Sequence, residues 1–218
     1  MPKPKRTPEE IEAIKEGMLE HATDLICDQG YKGFSMRKLA ARLGIAAKTI
    51  YNYYHNKDEI YLAILTKGFE RLYDSLLAAQ QSHPEPLDQL RAMTRAYLDF
   101  GLENSNLYSL MFTWVVPKYK DYVGTEMEPI AQVELETALK PPILFIETIK
   151  ACAACSEAGT PLSDEEARII MIQFWTQAHG YVAGINNTLM DYMHEDPLSL
   201  KERMLDTIMA NLERTPES

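Results

Sequence analysis

Six cationic side chains, Lys32, Arg37, Lys38, Arg42, Lys48 and Lys57, lie in a stretch of 29 residues, Gln29 to Lys57, that contains no Asp or Glu. Hydroxyl groups from Ser35, Thr49, Tyr51, Tyr53 and Tyr54 are interleaved with them. Cations and hydroxyls donate to oxyanions, and a surface cleared of carboxylates approaches a polyanion without repulsion. The clearing is selective, because the whole chain carries a formal net charge of −10. Residues 1–57 hold ten Lys and Arg against seven Asp and Glu, a net of +3, whereas residues 58–218 hold 12 against 25, a net of −13. A basic head on an acidic body orients a molecule toward a polyanion.

The elements that must position these groups read as helices. Thr7, Pro8 and Glu10 form a capped helix start, followed by an apolar stripe of Ile11, Ile14, Met18, Ala22, Leu25 and Ile26 that stops near Gly30. Ser35 caps a second helix with Met36, Leu39, Ala40 and Leu43 on one face, ended by Gly44. A third, about Ala46 to Tyr53, buries Ile50 and Tyr51, with Tyr54 also in the core. Asn56 caps a fourth that runs through Ile60, Ile64, Leu72 and Leu76 to about Gln81. Two short helices joined at a glycine inside the acid-free stretch make a helix-turn-helix, whose second helix enters the major groove of duplex DNA.

Beyond the break at Ser82–Pro86, helices are expected from Leu87 to about Asn104, from Leu107 to Val116, and from Ile143 to Glu157, ended by Gly159. Residues 118–141, with Pro129 and the Pro141-Pro142 pair, read as a loop with one short helix. Ser163 and Glu166 open a long helix that is apolar almost all round, so one side needs a partner. The last helix starts at Asp196-Pro197 and carries Leu200, Met204, Leu205, Ile208, Met209 and Leu212, a stripe suited to a bundle. The class is all-α, with a head at 1–57 and a body at 58–218.

Other chemistries fit less well. Cys152 and Cys155 have the C-x-x-C spacing of redox and zinc sites, but they sit inside a helical pattern, and the alternative is small residues packed in a helix. No Ser-His-Asp or P-loop pattern is visible, so no enzyme, metal or cofactor is expected. A helical adaptor that binds protein alone has no need of the acid-free stretch. Three cysteines argue against a disulfide framework and fit a reducing cytosol. No apolar run is long enough to span a membrane, and MPKPKRTPEE has no apolar core of a secretory signal. A cytoplasmic location is expected.

Residues 31–65 resemble the DNA-binding head of TetR-family transcriptional regulators. The features are Gly33-Phe34-Ser35, Leu39-Ala40, Leu43-Gly44-Ile45, Thr49-Ile50-Tyr51, and Tyr54 before Asn56-Lys57-Asp58-Glu59. Phe174-Trp175-Thr176-Gln177-Ala178-His179-Gly180 is similar to the Trp-x-x-x-His-Gly signature of one C-terminal subgroup, which Tyr97-Leu98-Asp99-Phe100 and Tyr108–Phe112 also fit. The resemblance implies a three-helix head on a larger helical body that binds a small molecule and dimerises. It implies a homodimer through the last two helices, a palindromic double-stranded operator, and repression relieved by an effector. On that basis Ser35, Arg37 and Lys57 would hold phosphate, Ala47, Lys48 and Thr49 would face bases, and Tyr53 would bond phosphate. Lys38 and Arg42 are either contacts or solvated face residues. Lys3, Lys5 and Arg6 are either a minor-groove arm or a disordered tail. Ala46 stands where the family usually places a capping Ser or Thr. The effector pocket candidates are Tyr97, Tyr108, Met111, Phe112, Trp114, Trp175 and His179, a lining suited to an apolar or aromatic compound.

Overall fold

A computed structural model describes residues 6–155 and 161–213, with side chains through residue 210. The Lys3 and Lys5 positions, the Gly159 stop, the Leu212 side chain and the C-terminal tail from residue 214 lie outside what is described. Among the described residues there are eleven α-helices and no strand. They are α1 (Pro8–Gly33), α2 (Met36–Leu43), α3 (Ala47–Tyr51), α4 (Lys57–Gln81), α5 (Pro86–Glu103), α6 (Ser105–Phe112), α7 (Tyr119–Tyr122), α8 (Glu128–Ala138), α9 (Lys140–Cys155), α10 (Asp164–Asn186) and α11 (Lys201–Glu213).

The starts are set by side-chain caps. Thr7 and Glu10 bond each other's backbone N–H in a full capping box. Ser35 accepts from Lys38 N, Asn56 Oδ1 from Glu59 N, and Ser163 and Glu166 form the second box. Gly44 ends α2 in the left-handed region at φ 64°, which costs a glycine nothing. Gly30 (φ 72°, ψ 159°) breaks the course of α1 where a stop is expected, but one more helical turn follows to Gly33.

The chain forms two compact units. The first comprises residues up to Gly68 together with Trp114–Thr137. Its core is Met18, Leu25 and Ile26 of α1, Phe34, Leu39 of α2, Ile50 of α3, and Ile60, Tyr61 and Ile64 of α4, all buried. The segment from 114 to 137 closes onto the start of α4. Tyr61 Oη donates to the Pro117 carbonyl (3.1 Å), Tyr122 Oη to Asp58 (3.4 Å), and Asn56 Nδ2 approaches Met127 Sδ at 3.4 Å. This unit is therefore larger than the 1–57 head read from sequence.

The second unit comprises Phe69–Thr113 and the residues from Ala138 onward. Helix α5 packs on α9, α10 and α11, and α10 packs on α9 and α11. Leu90, Met93, Leu98, Tyr181, Val182, Leu205 and Ile208 are fully or almost fully buried between them. The bare Cα of Gly101 lets α5 approach Val182 and Tyr108, since a Cβ there would lie 2.6 Å from Val182 Cγ1. Tyr181 Oη donates to the Pro197 carbonyl (2.9 Å), which fixes the 3-10 turn Pro197–Leu200 ahead of α11.

Two expectations fail locally. Residues 118–141 hold two helices and the start of a third, because Pro129 and the Pro141-Pro142 pair occupy first-turn positions, where a missing N–H breaks no helical bond. The helix expected to reach Val116 stops at Phe112. Two β-branched residues before Pro117 favour extended backbone there.

Candidate functional site

In the first unit the acid-free stretch divides into structural and free cations. Lys38 Nζ donates to Gln29 Oε1 (2.6 Å) and the Gly33 carbonyl (2.7 Å). Arg42 bridges Asp24 (3.0 Å) and Asp28 (3.4 Å) of α1. Both hold α2 against the first helix. Arg37 and Lys48 are exposed and have no polar partner among the described residues. Lys57 opens α4 with its ammonium 4.4 Å from the centre of the Tyr31 ring.

Helix α3 has only five residues, far too few to be stable alone. It is held by Ile50, whose side chain is fully buried, and by Tyr54, buried just beyond it. These two are i and i+4, so they define the inner face. Tyr51 lies about 100° away from Ile50 on a helix and is half exposed, at 50%. The expected burial of Tyr51 is thus wrong, and it adds an aromatic hydroxyl to the outer face beside Lys48. Ala47 and Thr49 are partly exposed. Ala46 occupies the N-cap in extended backbone with no side-chain hydrogen bond. Tyr53 is partly exposed and its hydroxyl accepts from Arg6, which ties the start of the described chain to this helix. Ser35, as the cap of α2, is partly exposed.

Asp58, the first carboxylate after the stretch, is turned inward. It accepts from Tyr31 and Tyr122. Burial pushes its carboxyl above the usual range, opposed by the Tyr122 hydrogen bond.

In the second unit a cavity of about 260 Å³ lies among α4, α5, α6, α9 and α10. Of the seven candidates, Tyr97, Phe112 and Trp175 line it. Tyr108 and His179 stand behind Tyr97. The Tyr97 and Tyr108 hydroxyls are 2.8 Å apart, and the Tyr108 hydroxyl is 2.7 Å from His179 Nδ1. The His179 ring stacks on Trp175 at 4.8 Å and 16°. Burial holds the imidazole below the usual histidine range. Met111 is buried but does not line the cavity. Trp114 belongs to the first unit, beside an open concavity with Gly30, Tyr31 and Pro117. The unforeseen walls are Phe69 and Leu72 of α4, Pro141, Pro142 and Phe145 of α9, and Met171 and Phe174 of α10. Apolar residues at helical spacing mark a buried face, but not which buried face is left unfilled.

Cys152 and Cys155 both lie in α9, the first half-buried and the second exposed. Burial raises the Cys152 thiol to about 11, the reverse of an activated nucleophile. Among the described residues no group of three or more His, Cys, Asp or Glu is placed to hold a metal ion.

Residues 18–64 match the family described as "Bacterial regulatory proteins, tetR family", and residues 90–208, more than half the chain, match "Tetracyclin repressor-like, C-terminal domain". The chain belongs to the TetR family. That family is one of DNA-binding transcriptional regulators rather than of enzymes. Among TetR-family relatives, the transcriptional activator FasR of Mycolicibacterium smegmatis is 31% identical over 120 residues, 55% of this chain and 52% of FasR. The chain thus spans about half the length of that relative. The transcriptional repressor BepR of Brucella suis is 25% identical over 169 residues, 77% of this chain and 79% of BepR. In fold, the chain is similar to the regulator FadR of Bacillus subtilis, solved with stearoyl-CoA, at a TM-score of 0.66 and 14% identity, over 90% of this chain and 97% of FadR. Among the described residues no helix is long and apolar enough to cross a membrane.

Proposed function

We propose that this TetR-family protein is a cytoplasmic repressor that binds a palindromic operator as a homodimer and leaves it when a small molecule enters the cavity of the second unit. DNA binding resides in residues 1–57, and effector binding and dimerisation in residues 58–218. The observation that carries the reading is the outer face of α3. Lys48, Tyr51 and part of Thr49 face water there with no carboxylate in the flanking stretch, and Arg37 and Lys57 stand at the starts of the neighbouring helices. Lys48, Thr49 and the Ala47 methyl read base edges in the major groove. Ser35, Arg37, Tyr53 and Lys57 hold phosphates, which position the head without reading sequence. BepR, which shares the larger part of this chain, is named a repressor, and FasR an activator.

Dimerisation is supported by α10. Ile169 and Ile172 are about half exposed, at 47% and 49%, and Thr176 and exposed Gly180 continue the same face. Spacing of i, i+3, i+7 and i+11 makes one stripe, and a glycine in it permits close helix approach. The exposed side of α11 is polar by contrast, with Glu202, Arg203 and Asp206. A dimer would set two reading helices about 34–36 Å apart, one turn of DNA. An effector acts only if it binds the DNA-competent and released states unequally.

The test is fluorescence anisotropy with DNA from upstream of the chain's own coding sequence. Binding should weaken steeply with salt. Lys57→Ala should weaken all DNA alike and flatten the salt slope by about one unit. An unchanged slope would remove Lys57 from the phosphate contacts, and salt-independent binding would remove the whole reading.

A further inference from the structure

The cavity of the second unit carries information about the charge, size and polarity of what fills it. Tyr97 is the one titratable residue in its lining. An ionised carboxylate or phosphate placed there would lose its hydration and meet no cation. The stearoyl-CoA of B. subtilis FadR has phosphates that nothing in this lining would neutralise.

Size is the second constraint. A dry apolar cavity of roughly 150 Å³ holds one benzene ring. At about 260 Å³ the space here is that of two fused rings. Its walls suit a flat occupant. Phe145 and Phe174 lie 5.3 Å apart at 49°, and Phe112 and Trp175 lie 6.2 Å apart at 55°. Tilted ring pairs present faces and edges that complement an aromatic edge or face between them.

Polarity follows from the chain of hydroxyls. A neutral imidazole has one donor and one acceptor nitrogen. A phenol O–H is a better donor than a neutral imidazole N–H, and an imidazole nitrogen a better acceptor than a phenol oxygen. Tyr108 therefore donates to His179 Nδ1, 2.7 Å away. Its single proton is then used, so it accepts from Tyr97 at 2.8 Å. Tyr97 spends its own proton within the wall. Toward the cavity, Tyr97 is an acceptor.

We infer that this cavity takes an uncharged, flat, two-ring aromatic compound whose one polar group is a hydrogen-bond donor, a hydroxyl or ring N–H, given to the Tyr97 oxygen. The inference rests on the reading of this cavity as the effector site, and names the class of effector.

The test uses the full chain with 2-naphthol, naphthalene, 2-naphthoate and stearoyl-CoA at neutral pH, read by calorimetric titration. 2-Naphthol should bind, naphthalene about five- to tenfold more weakly for want of one hydrogen bond, and 2-naphthoate not at all. Tyr97→Phe should erase the gap between 2-naphthol and naphthalene while naphthalene still binds. Ala178→Leu, which puts a larger side chain into the wall, should weaken both. If Tyr97→Phe fails to fold, the four ligands on the unaltered chain still decide. Tight binding of 2-naphthoate or stearoyl-CoA, or silence from both uncharged compounds, overturns the class. Equal affinity for 2-naphthol and naphthalene overturns the donor rule. DNA anisotropy separates the two readings. 2-Naphthol that binds without changing DNA affinity upholds the class and sinks the effector role. A charged compound that releases DNA, and is blocked by Ala178→Leu, upholds the effector role and sinks the class.

Discussion

The recognition surfaces proposed for the two units of this chain are built in opposite ways. In the first, the proposed contacts are cations and hydroxyls at least partly in water, set by the capped starts of α2 and α4 and by the buried Ile50 of α3. In the second they are buried, uncharged and held by one another. A polyanion would be met by cations whose positions are fixed while their heads stay hydrated, so affinity should be electrostatic and sensitive to salt. On the proposed reading, a small molecule would be met by a cavity that works through exclusion, of water and of charge, so its selectivity would come from shape and from one oriented hydroxyl. Acidic side chains are removed from both surfaces, for repulsion in one case and for desolvation in the other.

The comparison can be broken at the cores that support each surface. Ile50→Ala has the largest expected effect, about 2–5 kcal/mol, because the short α3 rests on that one fully buried side chain. Hydrogen exchange should rise across α1 to α3 and leave α9 and α10 unchanged, and specific DNA binding should vanish. Equal rises in both units would mean that they unfold together. Gly101→Ala is the counterpart in the second unit. Its Cβ would lie 2.6 Å from Val182 Cγ1 and 3.0 Å from the Tyr108 ring, an overpacking worth about 1–3 kcal/mol. Exchange should rise in α5 and α10, with ligand binding lost before DNA binding.

Ala46→Ser sharpens the account of the head. The N-cap backbone is already extended, so a hydroxyl should add about 1 kcal/mol, seen as a higher melting temperature. No gain would mean that the α3 terminus is satisfied some other way. The smallest effect concerns pH. His179 has its folded pKa depressed by burial from 6.5. Its contribution is present above that ordinary value and is lost as pH falls through it toward the folded pKa. Thermal stability from about pH 8 to about pH 5 should fall less steeply in His179→Gln than in the parent. Parallel curves would show that the imbalance lies elsewhere.

What could be read from the sequence was what is decided locally. Thr7 with Glu10, Ser35, Gly44, Asn56 and Ser163 with Glu166 act within one helical turn, and each does so in the structure. The all-helical class and the helix-turn-helix followed from them. Errors came where local signals carry two meanings. Pro129, Pro141 and Pro142 look like breakers but are helix starts. Tyr51 lies in a helix too short for its period to define a face. The cavity was partly legible. Tyr97, Phe112 and Trp175 line it and Tyr108 and His179 back it, but Trp114 sits in the other unit. Phe69 and Phe145 could not have been chosen, since long-range packing alone decides which aromatic edges border a void. The roles of Lys38 and Arg42 needed their partners, Gln29, Gly33, Asp24 and Asp28, to be placed.

The return of residues 114–137 to the start of α4 has a consequence for the order in which the protein is made. The helices proposed to read DNA precede this segment in the chain, so they leave the ribosome before it. Yet Asp58, Asn56 and Tyr61 find Tyr122, Met127 and the Pro117 carbonyl only when a stretch more than 50 residues downstream has emerged. Domains generally complete as units during synthesis, and this one is discontinuous. A nascent chain stalled at residue 100 would carry every residue proposed to contact DNA and still lack the groups that close the head. Nascent chains of increasing length, probed by proteolysis, should show protection of the first helices rising only after residue 137 is free.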